Sequence, residues 1–311
     1  MSTILVTARS FRAVPGHHMD LLKASGHSIV LPDGDGPFTA EQLREMVSGV
    51  NAIIAGNDQI TRRVIEAAPD LLVIGKHGTG TDTIDVEAAE ASGVTVVTAP
   101  GSNAESVAEL AVGMMLSLLR QLRWHHQVVA GDGWSRRLGH ELGGCTVAVV
   151  GFGMVGQRVA KLVRTFGAAV RVVEPCPDRD VLRELDCSVM PLRQAADAAD
   201  ILSLHAPLTN ENRGMIDSRT LAYLAQGAIL VNTARAGLVD EEAVLGALAE
   251  GRLAAYATDV FVEEPPKDRT LARMENTLCT PHVGAYTAEA VERTGTAAVL
   301  AVLNALAKGG P

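Results

Sequence analysis

The sequence predicts an α/β protein made of two doubly wound parallel-sheet domains with a cleft between them, and three observations predict it. Short, unbroken apolar runs alternate with helical patterns almost from end to end. Strands of this kind read as continuous apolar runs because helices cover both faces of a parallel sheet. The alternation comes in two series, separated by a long apolar helical pattern at 106–119. At 311 residues, 47% of them apolar, the chain is long enough to close two cores.

In the first series, residues 4–7, 28–31, 52–55, 72–76 and 94–98 read as strands, with helices at 16–24, 40–47 and 62–67 between them. The dividing pattern at 106–119 is a long, mostly apolar helical one that carries the small residues Ala108, Ala111 and Gly113. The second series places strands at 145–150, 170–173, 201–204, 229–232, 255–259 and 277–280. The last pattern, 287–307, is a helix rich in alanine and valine, and spacing assigns it to neither sheet. No low-complexity segment or short-period repeat interrupts this order.

Composition narrows the partners. A net charge of −9 with no lysine/arginine run argues against nucleic acid or an anionic membrane as the main partner. Cys145, Cys176, Cys187 and Cys279 form no CxxC pair, and no Cys/His cluster has zinc spacing, so no metal is expected. The adjacent pairs His17-His18 and His125-His126 read as surface histidines, and Trp134 as a packing residue. The first residues begin a strand without a basic leader, and no apolar run reaches membrane-spanning length. The expectation is a reduced, soluble, cytoplasmic protein.

The run Val147-Ala148-Val149-Val150 leads into Gly151-Phe152-Gly153-Met154-Val155-Gly156 and then a helix, so a GxGxxG pattern sits where a buried strand turns into a helix. Gly151 permits the turn, Gly153 lets backbone approach a pyrophosphate, and Gly156 lets the helix lie close to the strand. The next strand ends in Glu174, eighteen residues beyond Gly156. An acid there accepts hydrogen bonds from ribose hydroxyls and repels a 2′-phosphate, which predicts NAD rather than NADP.

Downstream, three polar residues follow apolar runs: Arg235 after 229–232, Glu264 after 255–259 and His282 after 277–280. In an open α/β sheet the carboxyl ends of strands are where ligands bind. Reduction of a 2-oxo acid needs a hydride donor, a proton donor and a cation for the carboxylate. A guanidinium binds a carboxylate in a two-point fork, which suits Arg235. An imidazole suits proton transfer, and a neighbouring carboxylate holds its proton, which suits His282 and Glu264.

On these residues the chain resembles the NAD-dependent D-isomer-specific 2-hydroxyacid dehydrogenase family, and within it the D-3-phosphoglycerate dehydrogenase-like branch. The likeness runs from Lys76-His77-Gly78-Thr79-Gly80-Thr81-Asp82 to His282-Val283-Gly284-Ala285-Tyr286-Thr287, with 29 residues from Arg235 to Glu264 and 18 more to His282. The resemblance implies a catalytic triad of Arg235, Glu264 and His282. It implies a substrate segment Lys76, His77, Gly78, Thr79 and Gly80, whose amides hold the carboxylate. Cofactor contacts would come from Gly151, Gly153, Met154, Val155, Gly156 and Glu174, from Ala206 and Pro207 on the adenosine half, and from Thr233, Ala234 and Asp259 at the nicotinamide. Gly284, Ala285 and Thr79 complete that set.

The resemblance also implies a flavodoxin-like substrate domain of 1–98 plus 285–311 and a Rossmann domain of 99–284. It implies a homodimer built on the 106–119 helix. The family often has arginine at position 154 and aspartate at 174. Its phosphoglycerate branch favours arginines at positions 55 and 76, where this chain has Ala55 and Lys76. The regulatory domain that some members of the branch append is not expected after Pro311. The implied activity is reversible hydride transfer between NAD(H) and C2 of a small D-2-hydroxy acid or 2-oxo acid. A glyoxylate/hydroxypyruvate reductase and an NAD-sensing protein of the corepressor type are the alternatives.

Overall fold

The computed structural model describes residues 1–309. The chain divides into two compact units, one of Met1–Asn103 together with the segment from Ala285 onward, the other of Ala104–Gly284. The first holds β1 (Thr3–Val6), β2 (Ser28–Val30), β3 (Ala52–Ala55), β4 (Val73–Lys76) and β5 (Thr95–Val97). They form an all-parallel sheet in the order β2-β1-β3-β4-β5, the flavodoxin-like arrangement.

Alternation along each strand builds two cores. Leu5, Ile53 and Ile74 face one side, against Leu43, Val64 and Ala88; Ile4, Val6, Ile54 and Val73 face the other, against Phe11 and Leu22. Helix Ala288–Gly309 covers the second side with Val299, Val302 and Leu306. A side chain at Gly75 would overlap Val302, so the glycine in β4 is what lets this helix lie on the strand. Each fully buried Val, Leu or Ile contributes roughly 1.5–3 kcal/mol.

The second unit holds β6 (Thr146–Val150), β7 (Ala169–Val173), β8 (Ser188–Val189), β9 (Ile201–Leu204), β10 (Ala228–Asn232), β11 (Leu253–Thr258) and β12 (Thr277–Cys279). All seven are parallel, in the order β12-β11-β10-β9-β6-β7-β8. The winding reverses between β6 and β9, which makes the carboxyl ends of those strands the switch point of a Rossmann sheet. Helices Ala104–Leu119 and Met154–Thr165 cover one face through Ala111, Met115, Val159 and Val163. Ala196, Leu221, Val244 and Leu248 cover the other.

Two readings of single residues are corrected. His18 is not a surface residue: it is fully buried, its ring 4.5 Å from Phe11 and its Nε2 3.0 Å from the Phe11 carbonyl. Space for it exists because Gly16 and Gly295 lack side chains. His17, its neighbour, is exposed. Trp134 is not a packing residue within the chain but stands 87% exposed. Helix Leu122–Ala130 and the two-residue edge strand β8 were also not expected.

No helix among the described residues is long and apolar enough to cross a membrane. Among those residues no group of three or more His, Cys, Asp or Glu is placed to hold a metal ion.

Candidate active site

The glycine loop forms because β6 must turn sharply beneath the end of β9. Gly151 has φ 90°, and a Cβ on it would lie 2.6 Å from Ala206 Cα and the His205 carbonyl carbon. A side chain on Gly156 would overlap the Gly151 carbonyl oxygen, so helix Met154–Thr165 approaches the strand only with glycine there. Gly153 caps that helix and faces open space. Met154 is exposed and Val155 half-buried at its first turn, where amide hydrogens point outward. Glu174, at the end of β7, turns back onto the loop: Phe152 N–H donates to Oε2 at 2.9 Å and Cys176 N–H to Oε1 at 3.2 Å.

Ala206 and Pro207 follow β9. His205, between them and the strand, has Nε2 2.8 Å from Ser203 Oγ, and its Nδ1 is buried without a hydrogen-bond partner. Burial lowers its pKa to about 3, so the ring is neutral. The Thr233 hydroxyl, just past β10, is likewise buried and unpartnered.

Arg235 is placed by Asn232, a fully buried residue that sequence reasoning missed. Its Nδ2 donates to the Arg235 carbonyl at 2.9 Å and its Oδ1 accepts from Ala234 N–H at 3.0 Å. The guanidinium donates to the Ala234 carbonyl at 2.7 Å. Glu264 lies in the loop after β11, where Oε1 accepts from Phe261 N–H at 3.1 Å. Its Oε2 is 2.8 Å from Nδ1 of His282, in the loop after β12. Nδ1 therefore carries the hydrogen, and Nε2 is left for other partners.

Burial alone would raise the Glu264 pKa. The His282 hydrogen bond and charge, the Phe261 amide and the charge of Arg235 outweigh burial and hold it below the usual glutamate value. These three residues thus share one electrostatic environment at the carboxyl ends of adjacent strands. Asp259, 1% exposed at the end of β11, accepts from Thr280 Oγ at 2.6 Å, Val283 N–H at 2.8 Å and Gly284 N–H at 2.7 Å. Ala285 follows Gly284 directly. The Cys279 thiol is half-buried, and burial pushes it up, away from thiolate character.

In the other unit, the segment from Lys76 to Gly80 leaves β4. Gly78 has φ 152°, and its carbonyl accepts from Ala99 N–H at 3.0 Å. Thr79 is exposed. The buried Lys76 ammonium donates to the Gly56 carbonyl and, at 3.0 Å, to Asn57 Oδ1. The His77 ring bridges Ser10 Oγ at 3.1 Å and the Val291 carbonyl at 3.3 Å. Burial lowers its pKa to about 4, against a smaller raising effect of the Val291 bond. A neutral ring fits both contacts, with Nε2–H donating to the carbonyl and Nδ1 accepting from the serine. Asp58, 1% exposed and also missed, accepts from Thr7 Oγ, Gly56 N–H and Phe38 N–H.

The profile described as D-isomer specific 2-hydroxyacid dehydrogenase, NAD binding domain matches residues 112–284. The chain belongs to the D-isomer-specific 2-hydroxyacid dehydrogenases. Curated relatives of this chain include the D-3-phosphoglycerate dehydrogenase of Methanocaldococcus jannaschii, 39% identical over 263 residues, which are 83% of this chain and 50% of that protein. The chain spans about half the length of the curated relatives it matches.

Among solved structures, the TT0316 protein of Thermus thermophilus superposes with a TM-score of 0.89 at 32% identity, covering 98% of this chain and 97% of that one. The D-lactate dehydrogenase of Aquifex aeolicus, solved with NAD and lactic acid, superposes with a TM-score of 0.86 at 26% identity, covering 99% and 96%. NAD is the cofactor of this dehydrogenase domain. The residues present fit it: the cradle at Gly153 is open, and Thr233 Oγ and His205 Nδ1 are buried polar atoms lacking partners.

Proposed function

We propose that this dehydrogenase transfers hydride reversibly between NAD(H) and C2 of a small D-2-hydroxy acid or its 2-oxo acid. The observation that carries the reading is the 2.8 Å Glu264–His282 hydrogen bond, with Arg235 acting on the same carboxylate, downstream of a glycine loop. NAD, when bound, supplies or accepts the hydride. Gly151, Gly153, Met154, Val155 and Gly156 hold its pyrophosphate through backbone amides, and Glu174 takes the ribose hydroxyls. Ala206 and Pro207 line the adenosine half, and Thr233, Ala234, Asp259 and Gly284 the nicotinamide; Thr79 and Ala285 are proposed as further cofactor contacts.

Arg235 binds the substrate carboxylate in a fork and polarises the adjacent carbonyl. Gly78, Thr79 and Gly80, flanked by Lys76 and His77, are the segment proposed to offer backbone amides to a substrate carboxylate. In the reductive direction His282 donates its Nε2 proton to the carbonyl oxygen as hydride arrives at C2. Glu264 stabilises the imidazolium before transfer and keeps Nδ1 as the donor to itself. His282→Ala should lower kcat about 100- to 10,000-fold in steady-state reduction of the best 2-oxo acid. Wild-type turnover in that variant would sink the assignment.

Within this chemistry two substrates compete. Relatives named D-3-phosphoglycerate dehydrogenase support a phosphorylated acid. The committed Lys76 ammonium and the methyl group of Ala55 favour an unphosphorylated one such as glyoxylate or hydroxypyruvate, because no guanidinium stands at either position. A panel of phosphorylated and unphosphorylated acids with NADH and NADPH separates them by kcat/KM. Tight NADH binding without turnover of any acid would favour a sensor.

We also propose a homodimer. The 106–119 helix spends most of its apolar side chains on the core of its own unit. The exposed apolar surface lies next to it, at Leu122, Val129, Trp134 and Leu138.

A further inference from the structure

His282 is the only non-glycine residue around the candidate site with a positive φ, 54°, among the described residues. Few non-glycine residues adopt this left-handed conformation; histidine does so more often than most, yet it still needs its surroundings to hold it there. The sequence offers no local reason. His282 follows Pro281, and its own N–H makes only a short-range bond to the Thr280 carbonyl at 3.1 Å. The holding groups come from elsewhere.

On one side of the turn is the Asp259 carboxylate. It gathers the Thr280 hydroxyl before the histidine and the Val283 and Gly284 amides after it, so one buried anion pins both flanks of His282. On the other side is Ser106, in the first turn of helix Ala104–Leu119. Its buried hydroxyl donates to the Gly284 carbonyl at 2.6 Å across 178 residues of sequence. The fit is close: a Cβ on Gly284 would come within 3.0 Å of Asp259 Oδ2 and 3.4 Å of Val107 Cγ2. Backbone 280–284 is therefore gripped by β11 on one side and by a helix terminus on the other.

We infer that Ser106, Thr280 and Asp259 form a clamp that holds His282 in the left-handed conformation and thereby aims its ring at Glu264. Ser106 and Thr280 are positioning residues: they touch the loop backbone and the Asp259 carboxylate, not the reacting atoms. The inference rests on the reading of His282 as proton donor for its functional consequence, but its conformational content stands apart from that reading. Released from the clamp, His282 returns to a negative φ, the ring swings away, and the 2.8 Å bond to Glu264 is lost. A shift of about 1 Å in an acid group is enough to cost on the order of 100-fold in rate.

The test uses Ser106→Ala and Thr280→Val, singly and combined, because neither residue is assigned to substrate or NAD and Asp259 is. A crystal structure of the double variant should show His282 outside the left-handed region and Glu264 unpaired. An unchanged φ with the bond intact would overturn the clamp whatever the kinetics. In turnover assays each single variant should lose roughly 3- to 10-fold in kcat and the pair more, up to about 100-fold. The Kd for NADH should change less than kcat, by no more than about 3-fold, since the pyrophosphate and adenosine contacts are untouched and only the nicotinamide neighbours Asp259 and Gly284 lose a bond.

Thr280→Ser, which keeps the hydroxyl, should restore wild-type kcat and also serves if the valine variant folds poorly. In a His282→Ala background Ser106→Ala should cost nothing further, and an additive loss there would also count against the clamp. Full turnover by His282→Ala alone would overturn the proton-donor reading, while the crystallographic result would still decide the clamp.

Discussion

Arg235 shows how much of a side chain's role depends on its immediate frame. Asn232, with no exposure, holds the backbone on either side of it, so the guanidinium leaves a fixed turn rather than a loose loop. Arg235→Lys keeps the charge but loses the two-point fork. KM for the 2-oxo acid should rise at least about 10-fold, with a smaller change in kcat, as measured by initial rates at saturating NADH. An unchanged KM would remove the carboxylate role. Glu264 makes a second case. Its pKa sits below the ordinary glutamate value, so the group stays ionised as pH falls through the unfolded value. The favourable pairing with His282 is present above that value and lost only as pH falls through the lowered one.

The chemistry-bearing residues of this scale were legible because each follows an apolar run. Asn232, Asp58 and Ser106 were not, since each acts through bonds that leave no periodic or spacing signal.

At the level of elements, the β6–helix unit depends on two glycines for different reasons. Gly151 needs its positive φ and the space taken by His205 and Ala206; Gly156 needs the space taken by the Gly151 carbonyl. Gly156→Ala should force helix Met154–Thr165 off the strand, destabilising the unit by about 1–3 kcal/mol. Affinity for NADH should fall alongside it, because the amides of the first turn move with the helix. Urea unfolding and NADH fluorescence titration measure the two effects, and a variant normal in both would refute the packing account. The fingerprint could be read from sequence because glycine is its own steric signature. By contrast, β8 could not be read, as two residues carry no pattern.

For the whole molecule, two histidines set an acid limit on stability, one in each unit. His77 and His205 are held neutral by burial, with pKa values of about 4 and about 3 against 6.5 when unfolded. The unfolded chain therefore takes up protons first as pH drops below 6.5. Stability is lost from there down to the folded values, where the loss levels off. Between pH 7 and pH 5 each histidine should remove on the order of 1–2 kcal/mol. Urea midpoints at the two pH values check this; equal midpoints would contradict it.

Assembly belongs to the same scale. The 122–138 arm is fixed to its unit by Arg137, which lies 4.2 Å over the Trp124 ring and 2.8 Å from Glu275, while Trp134 and Leu138 remain outside. On the proposed homodimer, Trp134→Ser with Leu138→Ser should weaken self-association relative to the unaltered protein in analytical ultracentrifugation. A dimer of unchanged affinity would relocate the interface.

The sequence by itself determined the parallel α/β architecture, the glycine loop and the three candidate catalytic residues. Strand burial, steric need for glycine and side-chain chemistry are all written in local order. Tertiary structure decided what lies far apart along the chain. The apolar Thr287–Ala307 pattern fits either sheet until Gly75 admits Val302. His18 is buried only because Gly295, nearly the length of the chain away, leaves room for its ring. The left-handed turn at His282 follows from Asp259 and Ser106, because a strained φ is set by the hydrogen bonds that surround it and not by the residue that adopts it.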